Sequence, residues 1–211
     1  MSIAVGINGA AGRMGRRLVA LAQEDPELGV VAAMEHDNHP ALGQDAGLLA
    51  GIGEINVNLL PRLETPPQVL IDFTTPAATR QLLKVCREQG IGLVVGTTGL
   101  TPADHKLLDA AGKDIALLQA PNMSLGVNLL FALAAQVART LGDDYDIEIV
   151  EAHHRFKKDA PSGTALGIAE AICGATGKDM EKDVVHGRCG DETEWKRGNI
   201  GMHALRMGDT V

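Results

Sequence analysis

The chain has 211 residues, 19 Lys and Arg against 27 Asp and Glu, and a formal net charge of −8. That length holds one large or two modest domains with a proper core, and the acidic balance is the wrong field for a general nucleic-acid binder, which meets phosphates with basic surface. Three cysteines without a CxxC spacing argue against a disulfide framework or a zinc site and for a reducing cytoplasm.

In chain order, "MSIAVGINGA" lacks the basic start of a signal peptide. Its "IAVGI" (3–7) reads as a buried strand, followed by a glycine-rich turn and a helix carrying Leu18, Leu21 and Ala22 on one face. "GVVAAME" (29–35) and "VLIDF" (69–73) are further strands, the latter leading through Thr74-Thr75-Pro76 into a helix with Leu82, Leu83 and Val85. "IGLVVG" (91–96) and "IALLQA" (115–120) flank a helix that starts near Thr101-Pro102. Strands alternating with helices of this length predict a Rossmann-like parallel sheet with helices on both faces.

From Asn122 the pattern changes. "SLGVNLLFALAAQVARTL" (124–141) predicts one apolar helix, "YDIEIVEAH" (145–153) a strand with one face buried, and 162–175 another helix. No apolar run is expected to reach the roughly 18–20 residues of a membrane span, so no membrane contact is expected. The short alternating runs after residue 189 predict antiparallel strands. The expected organisation is a dinucleotide-binding domain over 1–122 and an α+β substrate-binding and oligomerisation domain with a mixed sheet over 123–211. Ending at Val211, inside a strand-like run, predicts that the C-terminal part of the second domain is missing.

Gly9, Gly12 and Gly15 stand between the first strand and the first helix. That spacing lets backbone approach a pyrophosphate, with helix amides and dipole facing its charge. Glu35 closes the second strand 20 residues past Gly15, where a dinucleotide fold places the carboxylate for the adenosine ribose. A carboxylate suits the diol of NAD and repels the 2′-phosphate of NADP, while His36 could donate to a phosphate. NADH is therefore expected to serve at least as well as NADPH. "GTTG" (96–99) and "APNMS" (120–124) follow two other strands, at the carboxyl ends where open parallel sheets bind ligands.

"EAHHRFKKDAPSGTA" (151–165) concentrates positive charge in an acidic chain, about +1 from residue 151 to 159 with neutral imidazoles. Such a cluster suits an anionic small substrate. Ser162 reads as an N-cap that places the Gly163 and Thr164 amides in a first helical turn, a carboxylate site. The segment thus offers a proton donor, a cation and an oxyanion cradle within a dozen residues, and Arg155 and Lys158 read as bystanders. Adjacent histidines on a strand point to opposite faces, and a His-Glu-x-x-His spacing is absent, so no metal site is expected here.

The succession "GxxGRMG", "DFTTP", "GTTG", "APNMSLGVN" and "EAHHRFKKDAPSGTA" resembles the dihydrodipicolinate reductase family over nearly the whole chain. The resemblance implies hydride transfer from NADH or NADPH to a cyclic dicarboxylate imine, yielding tetrahydrodipicolinate for diaminopimelate and lysine synthesis. It implies a cytoplasmic homotetramer built through the substrate-domain sheet. By position, His153 resembles the family's proton donor and Lys157 its second one, with His154, Gly163 and Thr164 contacting substrate. Gly9, Ala10, Ala11, Gly12, Arg13 and Met14 resemble the pyrophosphate loop, and Glu35 with His36 the adenosine-ribose end. Gly96, Thr97, Thr98, Ala120, Pro121, Asn122 and Met123 resemble the nicotinamide side. His36 stands where many NADPH-preferring members have Arg, and Trp195 where the family offers a basic residue. Two alternatives stand beside this reading. Another amino-acid-pathway Rossmann reductase is one, although a semialdehyde dehydrogenase would need a nucleophilic cysteine motif. A non-catalytic NAD(P)-binding redox sensor is the other, and it would have no need of His153 and Lys157.

Overall fold

The computed structural model describes residues 2–191 and 193–209. The chain forms two compact units, Met1–Pro121 and Asn122–Val211. In the first, β1 (Ile3–Asn8), α1 (Arg13–Glu24), β2 (Leu28–Met34), α2 (Ala46–Ala50) and β3 (Leu59–Leu60) come in order. Then follow β4 (Val69–Asp72), α3 (Pro76–Gln89), β5 (Gly92–Val95), α4 (Pro102–Ala111) and β6 (Leu117–Gln119). The sheet order is β3-β2-β1-β4-β5-β6, with every neighbouring pair parallel. The chain therefore winds outward from β1 to one edge, returns to β1's other side as β4, and winds to the opposite edge. That reversal opens a crevice beyond the carboxyl ends of β1 and β4, the ligand position of doubly wound folds.

Two apolar clusters cover the faces of this sheet. One joins Ile7, Val19, Ala33 and Leu59 under α1 and α2, and the other joins Leu70, Leu82, Leu83, Cys86, Leu93, Val95 and Leu108 under α3 and α4. Local chemistry sets the helix starts. The Thr75 hydroxyl accepts from the Ala78 amide, and Thr101 forms a reciprocal capping box with Asp104, each followed by a proline at the first turn. Between residues 36 and 68, where no periodicity is legible, the buried Asp45 organises the chain. Its carboxylate accepts from the amides of Gly47, Leu48, Ile55 and Val57, capping α2 and pinning the return to β3. Burial pushes that carboxyl up, and the four amides together outweigh it and hold it below the usual carboxylate range.

The second unit contains α5 (Leu125–Leu141), a 3-10 turn (Gly142–Asp144), β7 (Ile147–His153), α6 (Gly163–Thr176), β8 (Val184–His186) and β9 (Ile200–Arg206). Its sheet runs β7-β9-β8, and both pairs are parallel. The antiparallel, mixed pairing expected from the alternating runs is not what the described strands adopt. Residues 187–199 separate β8 from β9, and a connection of about a dozen residues is long enough for a parallel crossover, whereas a hairpin needs only about two. Ile149, Ala165, Ala169, Ile172, Ile200 and Met202 form the core between this sheet and its helices. Phe131 of α5 lies so close to Gly167 of α6 that a Cβ there would sit 2.7 Å from its ring.

The helical stretch Leu125–Asp144 also corrects the expectation about membrane spans: by length and composition it could cross a bilayer, with a mean hydropathy of 1.4. Asn128, Gln136 and Arg139 interrupt the apolar run without bringing the average down. Part of that apolar character is core, since Ala138 is buried against the α6 cluster with Ala134 beside it.

Candidate active site

The glycine turn sits at the carboxyl end of β1, where the sheet topology demands a ligand. Gly9 has a φ of +76°, open to glycine at little cost, and its amide donates to the Met34 carbonyl. The Gly12 amide donates back to the Gly9 carbonyl at 3.0 Å, closing the turn. A Cβ at Gly15 would lie 2.0 Å from the Gly9 carbonyl oxygen, so helix and turn can touch only because that residue is glycine. Among the described residues, the other five α-helices begin with a side-chain cap, from Asp45, Thr75, Thr101, Ser124 and Ser162, and α1 begins with uncapped Gly12. Its first amides and positive dipole end therefore face outward, suited to a phosphate. A Cβ on Gly9 would also approach Glu35 Oε1 to 3.8 Å, which places the acid beside the turn. These groups could hold a dinucleotide, Gly9, Ala10, Ala11, Gly12, Arg13 and Met14 its pyrophosphate and Glu35 with His36 its adenosine ribose.

Gly96, Thr97 and Thr98 follow β5 at its carboxyl end, and Ala120, Pro121, Asn122 and Met123 lead away from β6. Gly96 is fixed by packing, since a Cβ would lie 2.2 Å from the Phe73 ring. Beneath them lies a residue that sequence reading missed as a site organiser. Asp72, 0% exposed, accepts hydrogen bonds from Asn8 Nδ2 (2.8 Å), Thr74 Oγ1 (2.6 Å), Thr79 Oγ1 (2.5 Å) and Thr97 Oγ1 (3.1 Å). The Thr74 amide donates to Thr97 Oγ1 at 3.0 Å. One buried carboxylate thus ties the ends of β1, β4 and β5 together at the switch point. An acid closing a strand of otherwise apolar residues was the available signal.

Glu35, His36 and His39 bring three possible metal-ligand atoms within 4.8 Å of one another. The sequence reading weighed metal only at His153 and His154 and did not find this group, which lies just past the carboxyl end of β2.

In the second unit, alternation along β7 puts Ile147, Ile149, Glu151 and His153 on one face. The core face of the strand thereby becomes polar at its end, where Ser162 begins α6. His153 Nδ1 lies 2.5 Å from Glu151 Oε2, and the Ser162 amide donates to Glu151 Oε1 at 3.0 Å. Arg206 Nη1 donates to both oxygens of the same carboxylate at 3.2 Å, and Arg206 pairs with His153 in the β7-β9 register. Burial of Glu151 pulls its pKa up, but the bonds from His153, Arg206 and the Ser162 amide outweigh that and hold it below its ordinary value. Ser162 Oγ accepts from the Ala165 amide at 3.2 Å, leaving the Gly163 and Thr164 amides of the first turn to an external acceptor. The space beside Gly163 is open, for a Cβ there would meet nothing within 4 Å.

Lys157 Nζ donates to Asp159 at 2.8 and 3.0 Å, and the first effect of that bond is to lower the Asp159 pKa. His154 stands just past β7 with its Nδ1 buried and unpartnered among the described residues. Arg155, read as a bystander, is a tether: its amide and Nε both donate to the Gly208 carbonyl, at 2.8 and 3.3 Å. Trp195 lies exposed in the connection between β8 and β9. The structure thus gathers His153 and the α6 first turn around Glu151, while Glu151 and Arg206, absent from the sequence-predicted set, hold them.

The family profile described as dihydrodipicolinate reductase, N-terminus, matches residues 3–123, and that for the C-terminus matches residues 126–211. A curated 4-hydroxy-tetrahydrodipicolinate reductase of Alkalilimnicola ehrlichii is 47% identical over 214 residues, covering 100% of this chain and 80% of the relative. One from a Geobacter species is 44% identical over 215 residues, with 99% and 79% covered. Among solved structures, dipicolinate-bound dihydrodipicolinate reductase from a Paenisporosarcina species superposes with a TM-score of 0.70 at 26% identity, covering 99% of this chain and 80% of that one. An aspartate semialdehyde dehydrogenase of Vibrio cholerae reaches a TM-score of 0.53 at 10% identity, a likeness of fold alone. Matched by both halves of the profile and by relatives along its whole length, the chain belongs to the dihydrodipicolinate reductase family.

Proposed function

We propose that the protein reduces 4-hydroxy-tetrahydrodipicolinate to tetrahydrodipicolinate with NADH or NADPH, a step of diaminopimelate and lysine biosynthesis. Residues 1–122 serve as the dinucleotide domain, and residues 123–211 as the substrate and oligomerisation domain of a cytoplasmic homotetramer. The observation that supports this most is the arrangement around Glu151. A histidine held by a buried carboxylate stands in one segment with a helix first turn whose amides are open to a carboxylate.

Bound in the crevice, the dihydronicotinamide supplies the hydride. The chain's own residues do the rest. The Gly163 and Thr164 amides hold one substrate carboxylate at the positive end of α6, with His154 as a further contact. Departure of the 4-hydroxyl as water takes up one proton and frees another from the neighbouring ring carbon; the hydride then adds at C4 of the conjugated imine, and the electron density pushed onto nitrogen needs a proton. Of the two protons taken up, His153 supplies one and Lys157 the other. Glu35 favours the ribose diol, so NADH serves at least as well as NADPH.

The test is NADH oxidation with substrate generated in situ by dihydrodipicolinate synthase. His153→Ala and Lys157→Ala are each expected to lose at least ~100-fold in kcat; unchanged rates would remove the assignment. Pyridine-2,6-dicarboxylate, a planar mimic of the substrate, should protect wild type against thermal unfolding, and a NADPH preference of about tenfold or more in kcat/KM would overturn the cofactor reading.

A further inference from the structure

Glu151 has no place in the proton inventory above, yet it is the most heavily engaged acid among the described residues of the second unit. Its side chain is 8% exposed, and its neighbours come from three directions. His153 on its own strand approaches Oε2, the Ser162 amide at the start of α6 donates to Oε1, and Arg206 on β9 donates to both oxygens. Arg206 also donates through Nη2 to the carbonyl of Asp159, the residue that faces Lys157. The charged groups around the carboxylate are therefore His153, Arg206 and, one link further, the Lys157–Asp159 pair.

We infer that Glu151 is a positioning residue, which fixes His153 as the Nδ1–H tautomer and locks that ring to the first turn of α6. The inference rests on the proposed role of His153. A carboxylate can only accept, so a neutral His153 must carry its proton on Nδ1, where the oxygen lies, and direct Nε2 away from β7. When the ring is protonated, the same contact becomes an ion pair and Nε2–H is the transferable proton. The second grip has a separate consequence. Because the Ser162 amide hangs on the other oxygen, ring and carboxylate cradle move as one body, and a shift of one displaces the other. Arg206 balances the carboxylate charge, so that Glu151 can stand beside the cradle without a bare negative charge facing an anionic ligand.

Glu151→Gln is the discriminating change, because it keeps the size and reverses one bond. Gln Oε1 can still accept from the Ser162 amide, but its NH2 must donate to His153 Nδ1. The ring is then driven to the Nε2–H tautomer, the wrong one for an imidazolium donor held by an anion. Ring-nitrogen shifts of His153 in 15N-labelled protein, read at about pH 9, where imidazoles are neutral, are expected to report Nδ1–H in wild type and Nε2–H in E151Q. Kinetically, E151Q should lose at least ~10-fold in kcat with the substrate KM within about threefold, because orientation and tautomer, not binding, are changed. A merely structural role would lower the unfolding temperature and leave the tautomer alone. An Nε2–H tautomer in wild-type protein overturns the inference even if the variant does not fold. So does an E151Q kcat within about twofold of wild type while His153→Ala is inactive. If His153→Ala keeps full activity, it is the role of His153 that falls, and the tautomer measurement still decides what Glu151 does.

Discussion

Asp72 offers a quantitative test of how the cofactor crevice is held. Removing its side chain as Asp72→Ala strips the acceptor from four donors, Asn8 Nδ2 and the hydroxyls of Thr74, Thr79 and Thr97. These do not suffer equally. Asn8 and Thr74 are only partly buried and can turn to water, and Thr79 Oγ1 has a second acceptor in the Thr75 carbonyl at 3.1 Å. Thr97, 2% exposed, has its oxygen already committed to the Thr74 amide, so its proton is left without a partner. Orphaning one buried donor costs ~1–3 kcal/mol, and a bond to a charged acceptor is worth ~1.5–3 kcal/mol. With a vacated side-chain volume added, the total is about 3–5 kcal/mol. Asp72→Asn should be far milder, about 1–2 kcal/mol. Its oxygen can keep Asn8 and Thr74, its NH2 can donate to the Thr79 and Thr97 oxygens, and Thr79 can swing its proton to Thr75, so only the Thr97 proton stays without an acceptor. Urea unfolding followed by far-UV circular dichroism measures this. For a slope of ~1–3 kcal/mol per molar urea, the alanine variant should unfold at least ~1 M earlier than wild type, with the asparagine variant between them. NADH affinity should follow the same ranking, because the freed threonines line the crevice. An alanine midpoint within about 0.3 M of wild type, or an asparagine variant as unstable as the alanine, would refute the idea that one carboxylate organises the three strand ends.

Two further outcomes follow from the space around individual glycines. Gly15→Ala forces a Cβ to 2.0 Å from the Gly9 carbonyl oxygen and 2.6 Å from Ala10 Cα, so it should destabilise by ~1–3 kcal/mol and raise the KM for NADH. Gly174→Ala, exposed on α6 with nothing within 4 Å of the new Cβ, should stabilise by ~0.5–1 kcal/mol; equal effects in thermal melts would show that the glycine turn tolerates backbone shift. Asp104 is held at a pKa of about 2, first by its bond from Arg80 and then by the amide and hydroxyl of Thr101. A depressed carboxyl contributes stability above its unfolded pKa of ~3.9 and loses it as pH falls through the folded value. The gap in stability between wild type and Asp104→Asn should therefore be constant above about pH 5 and close between about pH 4 and 2; a gap unchanged down to pH 2 would contradict the assignment.

The elements that carry a period of their own were legible in the sequence. The β-branched runs at 3–7, 69–73 and 91–96 and the caps at Thr75, Thr101, Ser124 and Ser162 report their structure locally, through alternation and side-chain bonds to amides three residues on. The Gly9–Gly12–Gly15 turn and the cationic segment announced themselves for the same reason. Short elements without a period did not, as α2 and β3 show, where a buried aspartate at position 45 replaces hydrophobic patterning.

What the tertiary structure decided was everything that depends on separation along the chain. Asn8 meets Asp72 across 64 residues and Arg206 meets Glu151 across 55, and no spacing rule links such partners. Strand direction in the second sheet belongs here too, because alternation marks a strand but is the same whichever way its neighbour runs. The parallel dinucleotide-type sheet, the glycine turn and the histidine, lysine and helix start of the candidate site could be read directly, since each is written in contiguous residues. Only folding brought Asp72 under the crevice and Arg206 against Glu151, because a buried carboxylate takes its role from the donors that converge on it, and the decisive ones come from other strands.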